Sequence, residues 1–255
     1  MLSLLWPVFW PLIAIAIPLA LLTGLLKTPS VKGHVGECQM RVFMHLLLPR
    51  QHYHSLHNVT LASGDGTTQI DHLVVSCFGV FVLETKNMRG WIFGSEQQAQ
   101  WTQKIYRRSY PFQNPLRQNY KHLKAVQAVL ELPDEHLHSI VNFIGGSRFK
   151  TAMPPNVTQG IGFIALIKSF TAPALDPNQV SAALQRLQQA RLAPSLATQR
   201  QHVRHLQQRS DPDAQRSCPR CGSPLVVRTV RTGNKAGEKF WGCSTFPKCR
   251  TLQKM

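Results

Sequence analysis

Three charged residues, Asp71, Glu84 and Lys86, would come together if the chain around them forms a hairpin. Two β-branched apolar runs, 70–75 and 80–83, lie on either side of a short polar segment, which predicts two strands and a tight turn. A turn centred between the two runs sets Asp71 opposite Glu84, and directly opposed side chains share a face of the sheet. Lys86 lies two residues past Glu84 and points to the same face. Two carboxylates and an ammonium group are therefore predicted to meet at one end of the hairpin.

Facing carboxylates repel each other unless a cation or a shared proton compensates. A divalent metal held by Asp71 and Glu84 would relieve that repulsion and could stabilise charge on a phosphate, while Lys86 orients or helps to deprotonate a metal-bound water. A simpler alternative accounts for the same residues. They would form the polar outer face of a hairpin, with an ordinary Glu84–Lys86 ion pair and no site.

The spacing of Asp71, twelve residues and then Glu84-Thr85-Lys86 resembles the PD-(D/E)xK nuclease signature, with Ile70 where that signature often has proline. Residues 33–150 also resemble the NERD (nuclease-related) domain. The motifs that carry the resemblance are Gly36-Glu37, Ile70-Asp71-His72, Gly79-Val80-Phe81-Val82, Glu84-Thr85-Lys86-Asn87, Gly90, Gln113-Asn114-Pro115 and Gln118-Asn119.

The resemblance implies an α/β fold with a restriction-endonuclease-like core in the order αβββαβ. It also implies a catalytic Mg²⁺ or Mn²⁺ bound by Asp71 and Glu84, with Glu37, Lys86 and Gln118 completing the active site. Two of these residues could instead have a purely structural role. Glu37 falls in the first turn of a predicted helix, where a carboxylate suits the helix dipole, and Gln118 could be an ordinary surface side chain.

Periodicity and breakers predict the elements that position these residues. Helices are expected over 31–48, from the Asn114-Pro115 cap to about Glu131, and after Asp176-Pro177. Strands are expected at 58–61, 139–144 and 161–167, with an irregular polar segment at 50–57, a turn at Arg89-Gly90 that leads into 91–94, and a loop at 145–158. The four histidines at 45, 52, 54 and 57 have no spacing that fits a compact metal site.

Residues 97–112 interleave aromatic and basic side chains, namely Trp101, Tyr106, Tyr110 and Phe112 with Lys104, Arg107 and Arg108. Such a pattern can bind nucleic acid by stacking and phosphate contact. A strand with its aromatic residues in the core and its basic residues in water would show the same pattern.

The chain has 29 Lys and Arg against 12 Asp and Glu, a formal net charge of +17. Such an excess favours an anionic partner, either nucleic acid or the acidic face of a membrane.

Residues 1–26 carry no charged side chain and are dominated by Leu, Ile, Ala, Val and Trp. About 20 apolar residues span a bilayer as a helix, so residues 1–27 are predicted to be a transmembrane anchor. A cleaved signal peptide is the alternative, but no Lys or Arg precedes the apolar run. Lys27 and Lys32 follow the run, which predicts a single-pass protein of a bacterial inner membrane whose remaining residues are cytoplasmic. Six cysteines interpreted as reduced agree with that compartment.

Four cysteines near the C-terminus, Cys218, Cys221, Cys243 and Cys249, have the Cys-x₂-Cys and Cys-x₅-Cys spacing of a structural zinc site. An iron–sulfur cluster is the alternative. Residues 216–253 resemble the C4 zinc ribbon of bacterial type IA topoisomerases, through Cys218-Pro219-Arg220-Cys221-Gly222, Leu225-Val226, Gly237, Phe240-Trp241-Gly242-Cys243-Ser244, Phe246-Pro247 and Cys249. The chain is too short to hold a topoisomerase core as well.

That resemblance implies binding of single-stranded DNA. The residues assigned to it are Arg220, Arg228, Arg231, Lys239, Lys248 and Arg250 for phosphates, and Phe240 and Trp241 for bases. The predicted organisation is therefore an anchor at 1–27, a nuclease-like domain at 31–170, a helix and basic linker at 171–216, and a zinc ribbon at 217–255. The expected function is a membrane-anchored, metal-dependent nuclease acting on DNA. A non-catalytic tether that holds nucleic acid at the membrane is the alternative.

Overall fold

The computed structural model describes residues 14, 28–63, 66–193, 216–218, 220–230, 237 and 239–254. The predicted anchor, apart from Ala14, and Arg231 lie outside the described residues, as does nearly all of the basic stretch 194–216. In the part of the chain that is described, no helix is both long enough and apolar enough to cross a membrane. The chain divides into two compact units, one of residues 1–63 and 68–192 and one of residues 64–67 and 193–255, and each is described by itself.

The first unit is mixed α/β. Its helices are α1 (Pro29–Leu47), α2 (Pro115–Leu130), α3 (Gly162–Ser169) and α4 (Pro177–Ala190). Its strands are β1 (Tyr53–Ser63), β2 (Gly66–Ser76), β3 (Gly79–Asn87), β4 (Gly90–Phe93), β5 (Gln100–Ile105), β6 (Arg108–Gln113), β7 (Leu137–Ile144), β8 (Ser147–Phe149) and β9 (Val157–Gln159).

A five-stranded sheet in the order β1-β2-β3-β7-β9 forms the centre of this unit. Strands β2 and β3 are antiparallel, whereas β3 pairs with β7 in parallel through the crossover helix α2. A second sheet, in the order β6-β5-β4-β8, continues from the end of β3. The predicted succession of helix, three strands, helix and strand is present, with β4, β5 and β6 of the second sheet inserted before α2.

The two faces of the central sheet are buried by different helices because its side chains alternate between them. Leu73 and Val82 point to the face covered by α2 and α4, where they join a core that includes Val126. Phe81 and Leu83 point to the opposite face, where they pack with residues of α1 and α3. Buried β3 therefore lies between two helical layers, and the residues at its carboxyl end are held rigidly.

The predicted hairpin is confirmed, with partners from His72↔Leu83 to Ser76↔Gly79. This is the register that sets Asp71 opposite Glu84. Gly79 has φ +124°, a backbone conformation that other residues rarely adopt. A Cβ at this position would also lie 2.8 Å from the His138 ring.

The segment 161–167 was wrongly predicted as a strand, since most of it forms helix α3. Its buried side chains, Phe163, Ile164 and Ile167, have helical spacing, but a short apolar run does not distinguish a strand from a buried helix. The predicted irregular segment 50–57 contains the start of β1 at Tyr53, and the predicted loop 145–158 contains β8 and the start of β9.

The second unit is a small antiparallel sheet in the order β10-β11-β12-β13. Its strands are β10 (Arg216–Ser217), β11 (Pro224–Thr229), β12 (Lys239–Cys243) and β13 (Leu252–Lys254). The buried cluster of this unit contains three of the four cysteines together with Leu225 and Trp241. So small an apolar core depends on a metal or another cross-link for stability.

Candidate active site and metal centre

Strands β2 and β3 separate just beyond the last residue pair, His72↔Leu83, and the two acidic residues lie where they part. Beyond that pair, the backbone N–H of Thr85 donates to the Asp71 side chain, with 2.8 Å between Thr85 N and Asp71 Oδ2. Asp71 is therefore fixed against the backbone of the residue that follows Glu84. The opening leaves both carboxylates at one end of the hairpin, as the sequence predicts.

Lys86 is held by two oxygens on the same face. Its Nζ donates to Glu84 Oε1 over 2.7 Å and to Gln118 Oε1 over 2.8 Å. The ammonium group has three N–H donors, so one remains after these two bonds. Gln118 thus belongs to the constellation and is more than a surface side chain.

His122 is a member of this cluster that the sequence analysis did not identify. Its Nε2 lies 3.2 Å from Glu84 Oε2, and its Nδ1 lies 2.7 Å from Thr68 Oγ1. A tautomer with the proton on Nε2 would face the carboxylate and accept from the threonine hydroxyl. His122 is one helical turn beyond Gln118 on α2, and that i, i+4 spacing was the signal that could have revealed it.

The two carboxyl groups have opposite electrostatic environments. Burial raises the pKa of Asp71 well above its usual range, and the charges of Glu84 and Glu37 raise it further. Burial would also raise the pKa of Glu84, but His122 and Lys86 beside it hold that pKa below its usual range. In the absence of a cation, Glu84 is ionised and Asp71 retains its proton more readily than an ordinary aspartic acid.

Glu37 lies in the middle of α1, because that helix begins at Pro29 and has no acidic residue in its first turn. The predicted capping role for Glu37 is therefore wrong. The Asn58 amide lies between the side chains of Glu37 and Arg41. In the orientation that satisfies both, its nitrogen is 3.0 Å from Glu37 Oε2 and its oxygen is 2.7 Å from Arg41 Nη2. This bridge connects α1 to β1, and the charge of Glu37 is close enough to act on Asp71.

These residues fit a hard divalent cation. Mg²⁺ and Mn²⁺ prefer carboxylate oxygens, and Asp71 and Glu84, with Glu37 nearby, would supply them. The chemistry of the donor set supports the fit: Asp71 and Glu84 lie at the same strand end, and burial together with the charges of Glu84 and Glu37 raises the pKa of Asp71, so a cation there would compensate the repulsion. Lys86 and His122 lie beside Glu84 and would orient it, and Gln118 would act through Lys86.

Helix α2 reaches the site because its first half is pinned to the sheet. The Asn114 side chain caps the helix by accepting from Leu116 N, and it donates to three carbonyls of the 95–98 loop. Buried Asn119 donates to Val82 O, Ser139 Oγ and Ile140 O. Asn119 therefore fixes the turn of α2 that presents Gln118.

The histidines left unassigned by the sequence analysis do not form a metal site. His57 lies on β1, with its Nδ1 2.8 Å from His72 Nδ1. Burial, together with the charge of Arg41, lowers the pKa of His57 to about 4. Burial and the neighbouring His57 and Arg41 lower the pKa of His72 to about 3. Both rings are neutral at physiological pH, and they link β1 to β2.

The C-terminal cysteines have the geometry of a four-ligand metal centre. All four sulfurs lie within 4.8 Å of one another, with 3.7 Å between Cys218 and Cys249 and 3.4 Å between Cys221 and Cys243. A tetrahedral zinc with bonds of about 2.3 Å sets its sulfurs about 3.8 Å apart. The cluster is consistent with structural zinc, whereas an iron–sulfur cluster would spread its thiolates around several irons. Hydrogen bonds from Ser223 lower the pKa of Cys221 to about 6, which favours the thiolate that a metal requires.

The residues of the ribbon that were predicted to contact nucleic acid differ in their exposure. Four of the basic residues are exposed, namely Arg220, Lys239, Lys248 and Arg250. Arg228 donates to Cys243 O and lies over the Phe246 ring, 5.5 Å from its centroid. Trp241 is only 3% exposed and packs in the cysteine cluster, so the prediction that it stacks on bases is wrong. Phe240 is half-buried, and the more exposed aromatic residue is Phe246.

The aromatic residues of 97–112 do not all follow one of the two alternatives, nucleic-acid binding or a strand with its aromatic residues in the core. Trp101 is fully buried and packs against Phe112 and Phe143, as a core aromatic residue does. Tyr106 and Tyr110 are exposed.

Comparison with known proteins also divides the chain into a central domain and a C-terminal ribbon. Residues 32–144 match the nuclease-related domain (NERD), and residues 215–255 match the topoisomerase DNA-binding C4 zinc finger. No solved structure matches the chain.

The relatives match one part of the chain or the other. An uncharacterised protein of Bacillus anthracis is 49% identical over 123 residues, which is 47% of this chain and 56% of that protein. DNA topoisomerase 1 of Mycoplasma genitalium is 56% identical over 36 residues, and that of Mycoplasma pneumoniae is 54% identical over 35 residues. These segments are 14% of this chain and 5% and 4% of the two topoisomerases, so the likeness concerns the zinc ribbon alone.

Proposed function

Because the chain combines a nuclease-related domain with a topoisomerase-type C4 zinc ribbon, we propose that it is a metal-dependent phosphodiesterase that cuts DNA. The observation that carries the proposal is the Asp71, Glu84, Lys86 and Gln118 constellation at the parted ends of β2 and β3. Two carboxylates at one end of a hairpin, one of them bonded to an ammonium group, are a set that could hold a metal ion for phosphodiester hydrolysis.

Each residue of the site has a role that follows from its contacts. Asp71 and Glu84 would bind Mg²⁺ or Mn²⁺, with Glu37 assisting, and the bound ion would stabilise the charge that develops on the phosphate. Gln118 and Glu84 hold Lys86 so that its third N–H can orient the attacking water. Gln118 and His122 are positioning residues, since they act through Lys86 and Glu84.

The zinc ribbon would deliver the DNA. Its exposed basic residues and Phe246 offer phosphate contacts and a stacking surface, which suits single strands. The metal of the ribbon is structural, because four cysteine ligands leave no open position for a substrate.

Membrane attachment is part of the same proposal and rests on the sequence of residues 1–27. Their length and lack of charge fit a single-pass anchor in a bacterial inner membrane, with both folded units in the cytoplasm.

A second candidate is a non-catalytic tether that binds nucleic acid without cutting it. One observation favours it: the Lys86 ammonium group already lies 2.7 Å from Glu84 Oε1, so the Glu84 carboxylate has a cationic partner without a metal. Incubation of the protein with linear, nicked and single-stranded DNA and Mg²⁺ or Mn²⁺ separates the two candidates. Cleavage that requires Lys86 supports the enzyme. Binding without cleavage under every metal would establish the tether.

A further inference from the structure

The sheet of β4, β5, β6 and β8 has one face that the core does not cover. Ile92 of β4 points inward and is fully buried with Trp101 and Phe143. Trp91, its neighbour in the chain, points outward and is 45% exposed. An exposed tryptophan on a rigid strand is a surface that a partner can use.

Three cations surround Trp91 on this face. Lys104 on β5 and Arg148 on β8 are its direct partners on the adjacent strands, so their side chains share its side of the sheet. Lys150 follows β8, with its Nζ 4.7 Å from the centroid of the Trp91 ring, and Lys104 Nζ lies 5.9 Å from it. We call these four residues the Trp91 face.

The positive charge of the Trp91 face is not neutralised from within the unit. Among the described residues, no carboxylate forms an ion pair with Lys104, Arg148 or Lys150. A similar pair on α2 differs in this respect. Lys124 Nζ lies 5.6 Å from the Tyr120 ring centroid but is 3.0 Å from Asp134 Oδ1, so its charge is compensated.

We propose that the Trp91 face binds single-stranded nucleic acid, with a base stacked on Trp91 and phosphates at Lys104, Arg148 and Lys150. Charge complementarity supports this occupant, because aromatic rings flanked by unpaired cations suit a strand with exposed bases. An exposed lysine over a ring is held more weakly than a stacked base, so the base displaces it toward a phosphate.

The location of the face gives it a purpose that rests on the proposed nuclease function. Trp91 follows Lys86 by five residues, so at most about 18 Å of chain separates the two. A strand of a few nucleotides covers that distance. The Trp91 face would hold the strand beside the scissile phosphate.

Photocrosslinking of the full-length chain tests the proposal without requiring cleavage. The probe is single-stranded DNA carrying photoreactive 5-iodouracil, used with the Lys86→Ala variant so that the strand stays intact. Mass spectrometry should find an adduct on Trp91 and none on Tyr120, the matched control. Adducts on the ribbon without one on Trp91 would refute the assignment. An adduct on Trp91, together with a wild-type protein that cuts no DNA with Mg²⁺ or Mn²⁺, would support the face and reject the nuclease.

Affinity measurements give a second readout. Replacing Lys104, Arg148 and Lys150 with Gln should lower the log–log salt slope of single-strand binding by about 2, at about 0.7 per phosphate contact. Trp91→Ala should weaken binding on the order of tenfold. The control variant Tyr120→Ala/Lys124→Gln should change neither quantity. The triple Gln variant could instead keep the salt slope of single-strand binding and lose binding to phosphatidylglycerol vesicles. That result would overturn the proposal in favour of a membrane contact.

Discussion

Lys86 has three N–H groups, and two of them are already bonded, to Glu84 and Gln118. The two bonds fix the direction of the third, which is what a group that orients a water needs. A lysine held in this way contributes to one reaction step and little to overall affinity, because many other cations of the chain can meet a strand.

Replacing Lys86 with Ala should therefore reduce cleavage by about a hundredfold or more while leaving DNA affinity nearly unchanged. Cleavage rates with Mg²⁺ and Mn²⁺, and binding in the same buffers, check this. Lys124→Ala is the matched control, because Lys124 on α2 also donates to a glutamine, Gln127, and to a carboxylate, that of Asp134. Equal losses of cleavage and binding in Lys86→Ala would argue against a catalytic role.

Asp71 makes the pH dependence of the site predictable. Its folded-state pKa is raised, so its contribution to stability is fully present below the unfolded pKa and is lost as pH rises through the folded pKa. Each unit of that shift costs about 1.4 kcal/mol at high pH. Asp71→Asn keeps the acceptor for Thr85 N and removes the charge. It should raise the Tm of the metal-free protein at neutral pH by a few degrees.

The same raised pKa predicts that metal binding releases a proton from Asp71. Mn²⁺ affinity should increase with pH until the folded-state pKa of Asp71 is passed and should then become constant. Calorimetry in two buffers of different ionisation enthalpy measures the proton released. In Asp71→Asn both the release and the pH dependence should disappear. Their persistence would place the metal elsewhere.

At the scale of elements, α2 and the β2–β3 hairpin make the site together. The hairpin supplies Asp71, Glu84 and Lys86, and α2 brings Gln118 and His122 to them. Asn119 holds the helix to β3 and β7, because the two N–H groups of its fully buried amide are shared among Val82 O, Ser139 Oγ and Ile140 O. The geometry of the site therefore depends on the packing of one helix against the sheet.

The ribbon is an element whose stability depends on its metal. Cys243→Ser leaves three thiolates, so the second unit should lose zinc and unfold, since the metal supplies most of the folding free energy of so small a core. The zinc content of the protein and the rate at which protease cuts the chain beyond Thr229 measure the loss of zinc and the unfolding. Cys38→Ser is the control, because Cys38 is an exposed free cysteine on α1. A ribbon that resists protease without zinc would contradict the structural role.

At the scale of the molecule, the proposed function assigns the cutting of DNA to the first unit and its delivery to the second. Removing residues 217–255 deletes the exposed Arg220, Lys239, Lys248 and Arg250. If all four meet phosphates, the log–log salt slope for single-stranded DNA should fall by about 3. This loss should be much larger than that of Lys86→Ala. An unchanged affinity and slope would show that the ribbon has another partner, such as RNA or a protein.

The remaining prediction concerns residues 1–27, whose apolar length is that of a membrane span. Deleting them should move the protein from the membrane fraction to the soluble fraction. N-terminal sequencing of the full-length protein tests the signal-peptide alternative. A mature chain that begins past residue 27, or full-length protein that is soluble after gentle lysis, would contradict the anchor.

Local signals were sufficient for much of this protein. The turn between β2 and β3 sets the register from His72 to Gly79, so the positions of Asp71, Glu84 and Lys86 on one face follow from residue numbers alone. The Asn114-Pro115 cap starts α2 as predicted. The cysteine spacing by itself predicted the four-thiol cluster. In each case the determining interaction lies within a few residues or within a known ligand geometry.

Packing between distant segments decided the rest. Gln118 is 32 residues from Lys86, and His122 is 54 residues from Thr68. The i, i+4 spacing of Gln118 and His122 puts them on one face of α2, but it does not show which distant residues that face meets. Trp91 and Trp241 both lie in strands, yet Trp91 is exposed and Trp241 is buried. Which side of a strand meets the core depends on what packs against it, and only the tertiary structure determines that.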